Sequence, residues 1–418
     1  MNCKPKRRVR VALVTHELSG GVGTMTRFLY RVLSESEAYE PHVVLMATSA
    51  KDRASALIRR PTSWLKGPTA IQRAERGLPF THVGAWFSEL EFQRYQPREA
   101  LSNVLRSFDI LQFVGGSAPW VDAARAVDRP KMLWVATTIA GDRASRAKIG
   151  SSLRRVWFRG MHFAAEWHER RALQIADRVL ALSPYTAESL RGLVKPSRLS
   201  VAYCGIDTEV FSPAQDKQYS TGGKSGYILC VGRLGDARKN VAMLLRAYSS
   251  LSRQHIEMPD LCLAGESLSQ DCQQLATEAG IAHRVRTVGF VPADELAELY
   301  RGARIFVLPS DEEGLGMVLL EAMACGVPVI STASGGPQAI IDDGKTGLLT
   351  PVGDQAALEA AIARLLSDEP FRRSLSIAGM ETARNRFSMA ATGGVFLEQY
   401  AALQLKKSNT TASARSVT

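Results

Sequence analysis

The sequence predicts an α/β protein built from two domains, each a doubly wound parallel sheet. Three observations predict this. The chain has 418 residues, too many for one ordinary core and suited to two domains of about 200 residues each. Short apolar runs alternate along it with segments whose apolar residues recur at helical spacing. The runs themselves are almost continuously apolar, as expected of strands covered on both faces of a parallel sheet. Hydrophobic residues make up 45% and charged residues 22% of the chain, so an ordinary core is available without disulfides or structural metal.

In chain order, the first half offers strands at Arg10–Thr15, His42–Met46, Ile110–Val114, Lys131–Ala136 and Arg178–Leu182. Lys4, Lys6, Arg7, Arg8 and Arg10 precede the first apolar run, an arrangement that resembles a secretion signal. The run stops at Thr15-His16-Glu17, too short for a signal core, and reads as a buried strand. Residues 59–100 are rich in Arg, Pro and Trp and show no period. They read as an insertion of loops and short helices near a binding face. This first domain is expected over residues 1–206. The polar, Gly/Ser-rich stretch 207–226 follows as a linker.

The second domain is expected over 227–386, with strands at Tyr227–Val231, Leu261–Ala264, Val285–Val288, Ile305–Pro309, Val327–Ser331 and Gly347–Leu349. Between them, Val241, Leu244, Leu245, Tyr248 and Leu251 fall at helical spacing, as do Leu358, Ala361, Ile362, Leu365 and Leu366. Residues 387–405 are expected to form a helix crossing back to the first domain. The polar stretch 406–418 reads as a disordered tail.

Charge is uneven. Residues 1–210 carry 32 Lys and Arg against 19 Asp and Glu, whereas 211–418 carry 20 against 22. Anionic lipid, a phosphate-bearing acceptor or nucleic acid would each suit the basic half, as would an Arg-rich soluble domain with no such partner. No nucleic-acid-binding module is recognisable, so that partner is not expected. Cys3, Cys204, Cys230, Cys262, Cys272 and Cys325 form no Cys-x-x-Cys pair, which points to a reducing compartment and argues against a zinc site. No run reaches the roughly 18 apolar residues of a membrane span. Location in the cytoplasm is expected, with membrane association at its inner face as a further option.

In open parallel sheets, ligands bind where loops leave the carboxyl ends of the strands. Five such segments carry chemistry here. Gly20, Gly21 and Gly23 follow the first strand and open a helix, where unpaired N–H groups can meet an anion. Their spacing is not the dinucleotide fingerprint, and no acidic residue ends the second strand, which argues against a nicotinamide or flavin enzyme. Arg233 and Lys239, on either side of a strand–helix turn, can clamp a diphosphate from two sides. The alternative is that both are plain surface charges.

The third segment, Leu308 to Ile330, joins an acidic loop to Gly314-Leu315-Gly316 and then to an apolar helix. Glu321 lies among Leu320, Ala322 and Met323, where a carboxylate needs a hydrogen bond. Glu313 and Glu321 are eight residues apart, about 12 Å if helical, so they can hold two hydroxyl-bearing parts of one elongated ligand. The amides of Gly314 to Gly316 would lie beside its negative charge. Ser334-Gly335-Gly336-Pro337 forms the fourth segment, where the backbone can approach a ligand or simply turn. The fifth, Ser152–Arg171, carries Trp157, Phe158, Met161, Ala164, Ala165 and Trp167 between arginines. It can rest on anionic lipid or grip a lipid-phosphate acceptor, though packing on its own domain is the expected use.

The run EGLGMVLLEAMACGVPVI, with its E-x7-E pair Glu313 and Glu321, resembles the donor-binding motif of glycosyltransferase family 4, the retaining GT-B transferases. DRVLALSPYTAESL (177–190), YCGIDTEVF (203–211), VGRLGDARKN (231–240), FVPADELAELYRGARIFVLPS (290–310) and SGGPQAIIDDGKTGLL (334–349) match in the same order. Together they cover about half the chain. The resemblance implies two Rossmann-like domains facing across a cleft, with a nucleotide sugar, UDP- or GDP-linked, held mainly by the second. Arg233 and Lys239 would neutralise the leaving diphosphate, Glu321 would bind the ribose hydroxyls, and Glu313 would contact the donor sugar near the reacting carbon. The glycine loop Gly20–Gly23 would close over the phosphates. Anomeric configuration would be retained, with catalysis by positioning and by stabilising the leaving group. The acceptor would be a saccharide or a lipid-linked glycan, as in cell-surface polysaccharide or glycolipid assembly. No Asp-x-Asp occurs, consistent with cations in place of metal, and no cofactor is expected.

Two positions depart from the family pattern. Ala339 stands where a glutamate is common, and Thr137-Thr138 stands where many members carry a histidine near the donor sugar. Thr137, Thr138 and His16 are therefore the candidate sugar contacts, with a strand-end histidine lacking any ligand as the alternative for His16. These departures also motivate two other readings: a sugar-nucleotide-binding protein with little transfer, and a nucleotide-sugar 2-epimerase. The paired glutamates favour transfer.

Overall fold

The computed structural model describes residues 7–75, 77–143, 152–214, 226–254 and 258–415, with side chains outside 152–159 and 406–415. The chain forms two compact units. One runs to Cys204 and is completed by the residues from Thr392 onward; the other is Gly205–Ala391.

The first unit holds an eight-stranded sheet of order β3-β4-β2-β1-β5-β6-β7-β8. Its strands are β1 (Val9–Thr15), β2 (Tyr39–Met46), β3 (Ala70–Glu75), β4 (Leu78–Val83), β5 (Ile110–Gly115), β6 (Lys131–Val135), β7 (Arg178–Ala181) and β8 (Leu199–Val201). All neighbours pair in parallel except β3 and β4, which form an antiparallel hairpin. That hairpin corrects the reading of residues 59–100 as loops and short helices. Every residue of β3 is exposed, so the strand lacks the inward–outward alternation that reveals a half-buried one. Pro79 near the start of β4 also breaks the usual strand pattern. Strand β8, only three residues long, was likewise not anticipated.

Helix Gly20–Glu35 buries Met25, Phe28, Leu29, Val32 and Leu33 at helical spacing. The long last helix, Met389–Arg415, adds to the same unit. Phe396 sits edge-on to Trp134 at 4.6 Å and to Phe28 at 5.6 Å. The Tyr400 hydroxyl donates to Gln112 Oε1 at 2.9 Å, which satisfies two buried polar groups at once. The helix thus continues through 406–415, the stretch read as part of a tail; 416–418 lie outside the described residues, as do 215–225 of the linker.

The second unit has six parallel strands in the order β11-β10-β9-β12-β13-β14. They are β9 (Tyr227–Gly232), β10 (Leu261–Gly265), β11 (Val285–Gly289), β12 (Ala303–Leu308), β13 (Val329–Thr332) and β14 (Leu348–Thr350). Helices Val241–Gln254 and Gln355–Ser367 bury the apolar residues that share their helical faces. Both units are therefore doubly wound, Rossmann-like sheets. In each, strand order reverses beside the first strand: between β1 and β5, and between β9 and β12. Such switch points open a crevice at the carboxyl edge of the sheet.

Candidate active site

At the switch point of the second unit, three loops are bonded to one another. After β9, Asp236 caps the short turn Ala237–Lys239 by accepting from the Arg238 N–H. Asn240 then adopts a left-handed conformation, φ 44°, before helix Val241–Gln254 begins. Lys239 therefore precedes that helix by two residues. The loop after β12 crosses over: the Asp311 N–H donates to Arg238 O at 2.7 Å, and Asn240 Nδ2 donates to Asp311 Oδ1 at 2.8 Å. The loop after β13 holds the other side, with Glu313 N–H donating to Ser334 O at 2.9 Å and Gly336 N–H to Glu313 O at 2.8 Å.

Glu313 is thus fixed at both of its backbone groups. Its carboxylate Oε1 accepts from Lys239 Nζ at 2.5 Å and from Ser310 Oγ at 2.6 Å. Both partners of the ion pair are largely buried, where a charge-assisted bond is strong and an unpaired charge costly. Ser310 was not singled out in the sequence; a serine directly before an acidic loop is its only signal.

Gly336 explains why glycine is needed in the loop after β13. A Cβ there would lie 2.4 Å from the Leu315 backbone, so the close approach of two loops excludes any side chain. The fourth segment is shaped by packing on the acidic loop. Gly316 has φ 90° and caps helix Met317–Ala324, a conformation glycine adopts without strain. Leu315, between the glycines, is buried. Because that helix starts at Met317, Glu313 is not helical, and the expected two-turn helical separation from Glu321 does not hold.

Glu321 is 8% exposed, in the second turn of the helix. Its Oε2 accepts from the Tyr300 hydroxyl at 2.7 Å. Burial pushes this carboxyl up to about 7, while the Tyr300 bond pulls the other way. Tyr300, itself fully buried, was also missed. A tyrosine on the buried face of a helix needs a partner for its hydroxyl, which is the signal that could have found it. Arg233 extends from the end of β9, with its side chain 44% exposed and its Nη2 3.5 Å from Asp236 Oδ2. Lys239 and Glu313 are therefore in direct contact, Arg233 faces Asp236, and Glu321 faces Tyr300.

In the first unit, Gly20 and Gly21 are exposed at the start of their helix, with φ 57° at Gly20. Gly23 is buried, and a Cβ there would lie 2.3 Å from Leu18 O. His16 stacks on Trp120 with centroids 4.5 Å apart and rings 6° from parallel. Burial pushes its imidazole down to about 4, so the ring is neutral at neutral pH; the Asp142 charge opposes this. The Thr138 hydroxyl accepts from Gly141 N–H at 3.2 Å and so caps helix Ile139–Arg143. Thr137 N–H donates to Gly116 O at 2.7 Å. Glu169 accepts from the Ile139 N–H at 2.9 and 3.1 Å, and burial pushes it up to about 7.

Helix Ser152–Ile175 packs through Ala165, His168, Glu169, Ala172 and Leu173, while Phe163 and Trp167 are exposed. Of the aromatic residues expected to pack, Trp167 is half exposed, its ring edge-on to His168 at 4.8 Å; the Trp157 and Phe158 side chains lie outside the described residues. Among the described residues, no helix is long and apolar enough to cross a membrane.

Comparison with known proteins agrees with this architecture. The profile described as Glycosyltransferase Family 4 matches residues 19–210, and that described as Glycosyl transferases group 1 matches 211–382. The chain is 31% identical over 294 residues to the GDP-mannose-dependent alpha-(1-6)-phosphatidylinositol monomannoside mannosyltransferase of Mycolicibacterium smegmatis, covering 63% of this chain and 76% of that protein. It is 33% identical over 249 residues to the D-inositol 3-phosphate glycosyltransferase of Thermomonospora curvata, covering 54% of this chain and only 57% of that one. Among solved structures, the sucrose-phosphate synthase of Thermosynechococcus elongatus shares the fold, with a TM-score of 0.73 and 23% identity over 96% of this chain and all of that one. The two doubly wound sheets thus form the GT-B fold, and the chain belongs to the family 4 glycosyltransferases.

Proposed function

We propose that this protein transfers a sugar, with retention and without metal, from a nucleoside-diphosphate sugar to a saccharide or lipid-linked acceptor. The observation that carries the proposal is the Lys239–Glu313–Ser310 cluster, braced by three loops at the switch point of the second sheet. A lysine ammonium has three N–H donors. One meets Glu313, which leaves donors for a diphosphate, and Arg233 supplies a second cation from the same loop after β9. The free Glu313 oxygen can accept from a donor-sugar hydroxyl, and Glu321 can accept from the ribose.

In the transfer step, the bond between the anomeric carbon and the diphosphate oxygen breaks as the acceptor oxygen bonds to that carbon on the same face. The acceptor proton passes to a phosphate oxygen. Lys239 and Arg233 stabilise the charge that develops on the departing diphosphate. The first unit carries the acceptor side, and we place the reaction in the cytoplasm, where nucleotide sugars and reduced cysteines coexist. The donor base is UDP or GDP; the mannosyltransferase relative is named for GDP-mannose.

A donor-binding protein with weak transfer is the second reading. It is favoured by Thr137-Thr138 in place of a histidine and by Ala339 in place of a carboxylate. A thermal-shift screen of nucleotide sugars, followed by NMR of the product's anomeric proton, tests the proposal. One donor at about 100 times its Kd should add about 2.7 kcal/mol of stability, and its product should keep the donor's configuration. Stabilisation without product supports the second reading; an inverted product, or no stabilising donor at all, overturns the first.

A further inference from the structure

The parallel pairing of β1, β2 and β4 means that the loops after all three leave the same edge of the first sheet. The glycine turn Gly20–Gly23 follows β1 at that edge. Residues 47–69 follow β2, and residues 84–90 follow β4. These last two loops carry a concentration of exposed apolar side chains: Ile58, Trp64, Leu65 and Trp86, with Leu65 93% exposed.

The arrangement is braced. Trp64 Nε1 donates to Leu57 O at 2.7 Å, and its ring sits edge-on to Phe87 at 5.5 Å. Ala56 N–H donates to Ala85 O at 3.1 Å, and Phe87 N–H to Ala56 O at 2.7 Å, so the two loops are tied together. The Gly67 backbone lies against the Trp86 ring. Leu65 is therefore held outward at the tip of an ordered loop.

Around this tip stand Arg53, Arg59, Arg60 and Lys66, all exposed. Among the described residues none of their side chains is in an ion pair. The nearby acids are turned to other uses: Asp52 is bonded to His82 at 2.7 Å and to Ser55 at 2.5 Å, and Glu89 accepts from the Arg59 N–H at 3.3 Å. An aliphatic and indole tip ringed by unpaired cations has the chemistry of an interfacial membrane anchor. A soluble protein partner would need shape complementarity around a protruding leucine, whereas a bilayer accepts the tip and pairs its phosphates with the cations.

We infer that the loops 51–67 and 84–87 dock this protein on an anionic bilayer. The docked edge is the one that carries the glycine turn, so a lipid-linked acceptor would meet the first unit where the membrane touches it. This goes beyond the proposed transfer reaction and does not depend on it.

Flotation of the full chain with vesicles of phosphatidylcholine alone, and of equal parts phosphatidylcholine and phosphatidylglycerol, tests the inference without donor or turnover. The wild type should float with the anionic vesicles only and be released by added salt. Each cation at an anionic surface is worth about a fivefold change in partition, so R59E/R60E should weaken binding well over tenfold. Leu65→Glu should weaken it about tenfold or more, leaving the melting temperature unchanged. Equal binding to both vesicle types would overturn the inference. So would binding that survives Leu65→Glu but is lost in Phe163→Glu, which would move the contact to helix Ser152–Ile175. Loss of self-association in Leu65→Glu, without vesicle binding by the wild type, would identify a protein interface and overturn it too.

Discussion

Lys239 and Glu313 hold each other in place, so removing either leaves a buried charge without its partner. Lys239→Ala should lower kcat about 10²- to 10³-fold, the usual cost of one donor to a developing anion, as read by steady-state kinetics. Activity within a factor of two would exclude the leaving-group role. Glu321 adds a pH dependence. In its proposed role as ribose acceptor the ionised form is the stronger one, and the Tyr300 hydroxyl favours that form. In Tyr300→Phe the acid limb of the donor-KM profile should move to higher pH, and an unmoved limb would mean that Tyr300 only packs. Stability carries the same signs. Glu321 and Glu169 keep a proton in the folded chain up to about 7, against 4.5 for the ordinary carboxyl. Their contributions are greatest in acid and fall as pH rises from about 4.5 to 7. His16 runs oppositely: its contribution is present above 6.5 and is lost as pH falls towards about 4. Calorimetry of Glu169→Gln should therefore show a flatter fall in Tm across the first of these windows.

At the scale of elements, the acidic loop owes its position to a neighbour that no chemical group betrays. Gly336 has ordinary helical dihedrals, so its requirement is steric and not conformational. Gly336→Ala would drive a methyl into the Leu315 backbone and should cost about 1–3 kcal/mol, the range for overpacking, together with much of the activity. Thermal melts and kinetics of that variant check both effects, and a wild-type melt would refute the packing argument. The buried strands were legible because continuous apolar runs such as Tyr227–Val231 leave little else to be. The β3–β4 hairpin was not, because an edge strand exposed on every residue carries no periodic signal. Contacts between loops were equally hidden: Ser310 and Tyr300 reach their glutamates through folding, and neither spacing nor composition announces a hydrogen bond. Glu321 stood out because a carboxylate among apolar helix residues is costly without a partner, and Glu313, in an acidic loop, through its spacing to Glu321 and the E-x7-E resemblance. The capping role of Thr138 was equally hidden: its hydroxyl accepts from the Gly141 N–H, which leaves its own O–H as a donor.

At the scale of the whole molecule, the charge imbalance lies between the two units. Much of the excess of Lys and Arg lies in the first unit, including Arg53, Arg59, Arg60 and Lys66 around the exposed Leu65 tip. The second unit, with 17 Lys and Arg against 23 Asp and Glu, is net acidic, yet Arg233 and Lys239 both stand in the loop after β9, where a diphosphate would meet them. The central claim is that the Lys239–Glu313 cluster is the donor's diphosphate site. Isothermal titration of GDP and UDP into wild type and Lys239→Ala tests it most directly. The account predicts that one nucleotide binds the wild type and binds the variant at least tenfold more weakly; equal affinity for both proteins would contradict it.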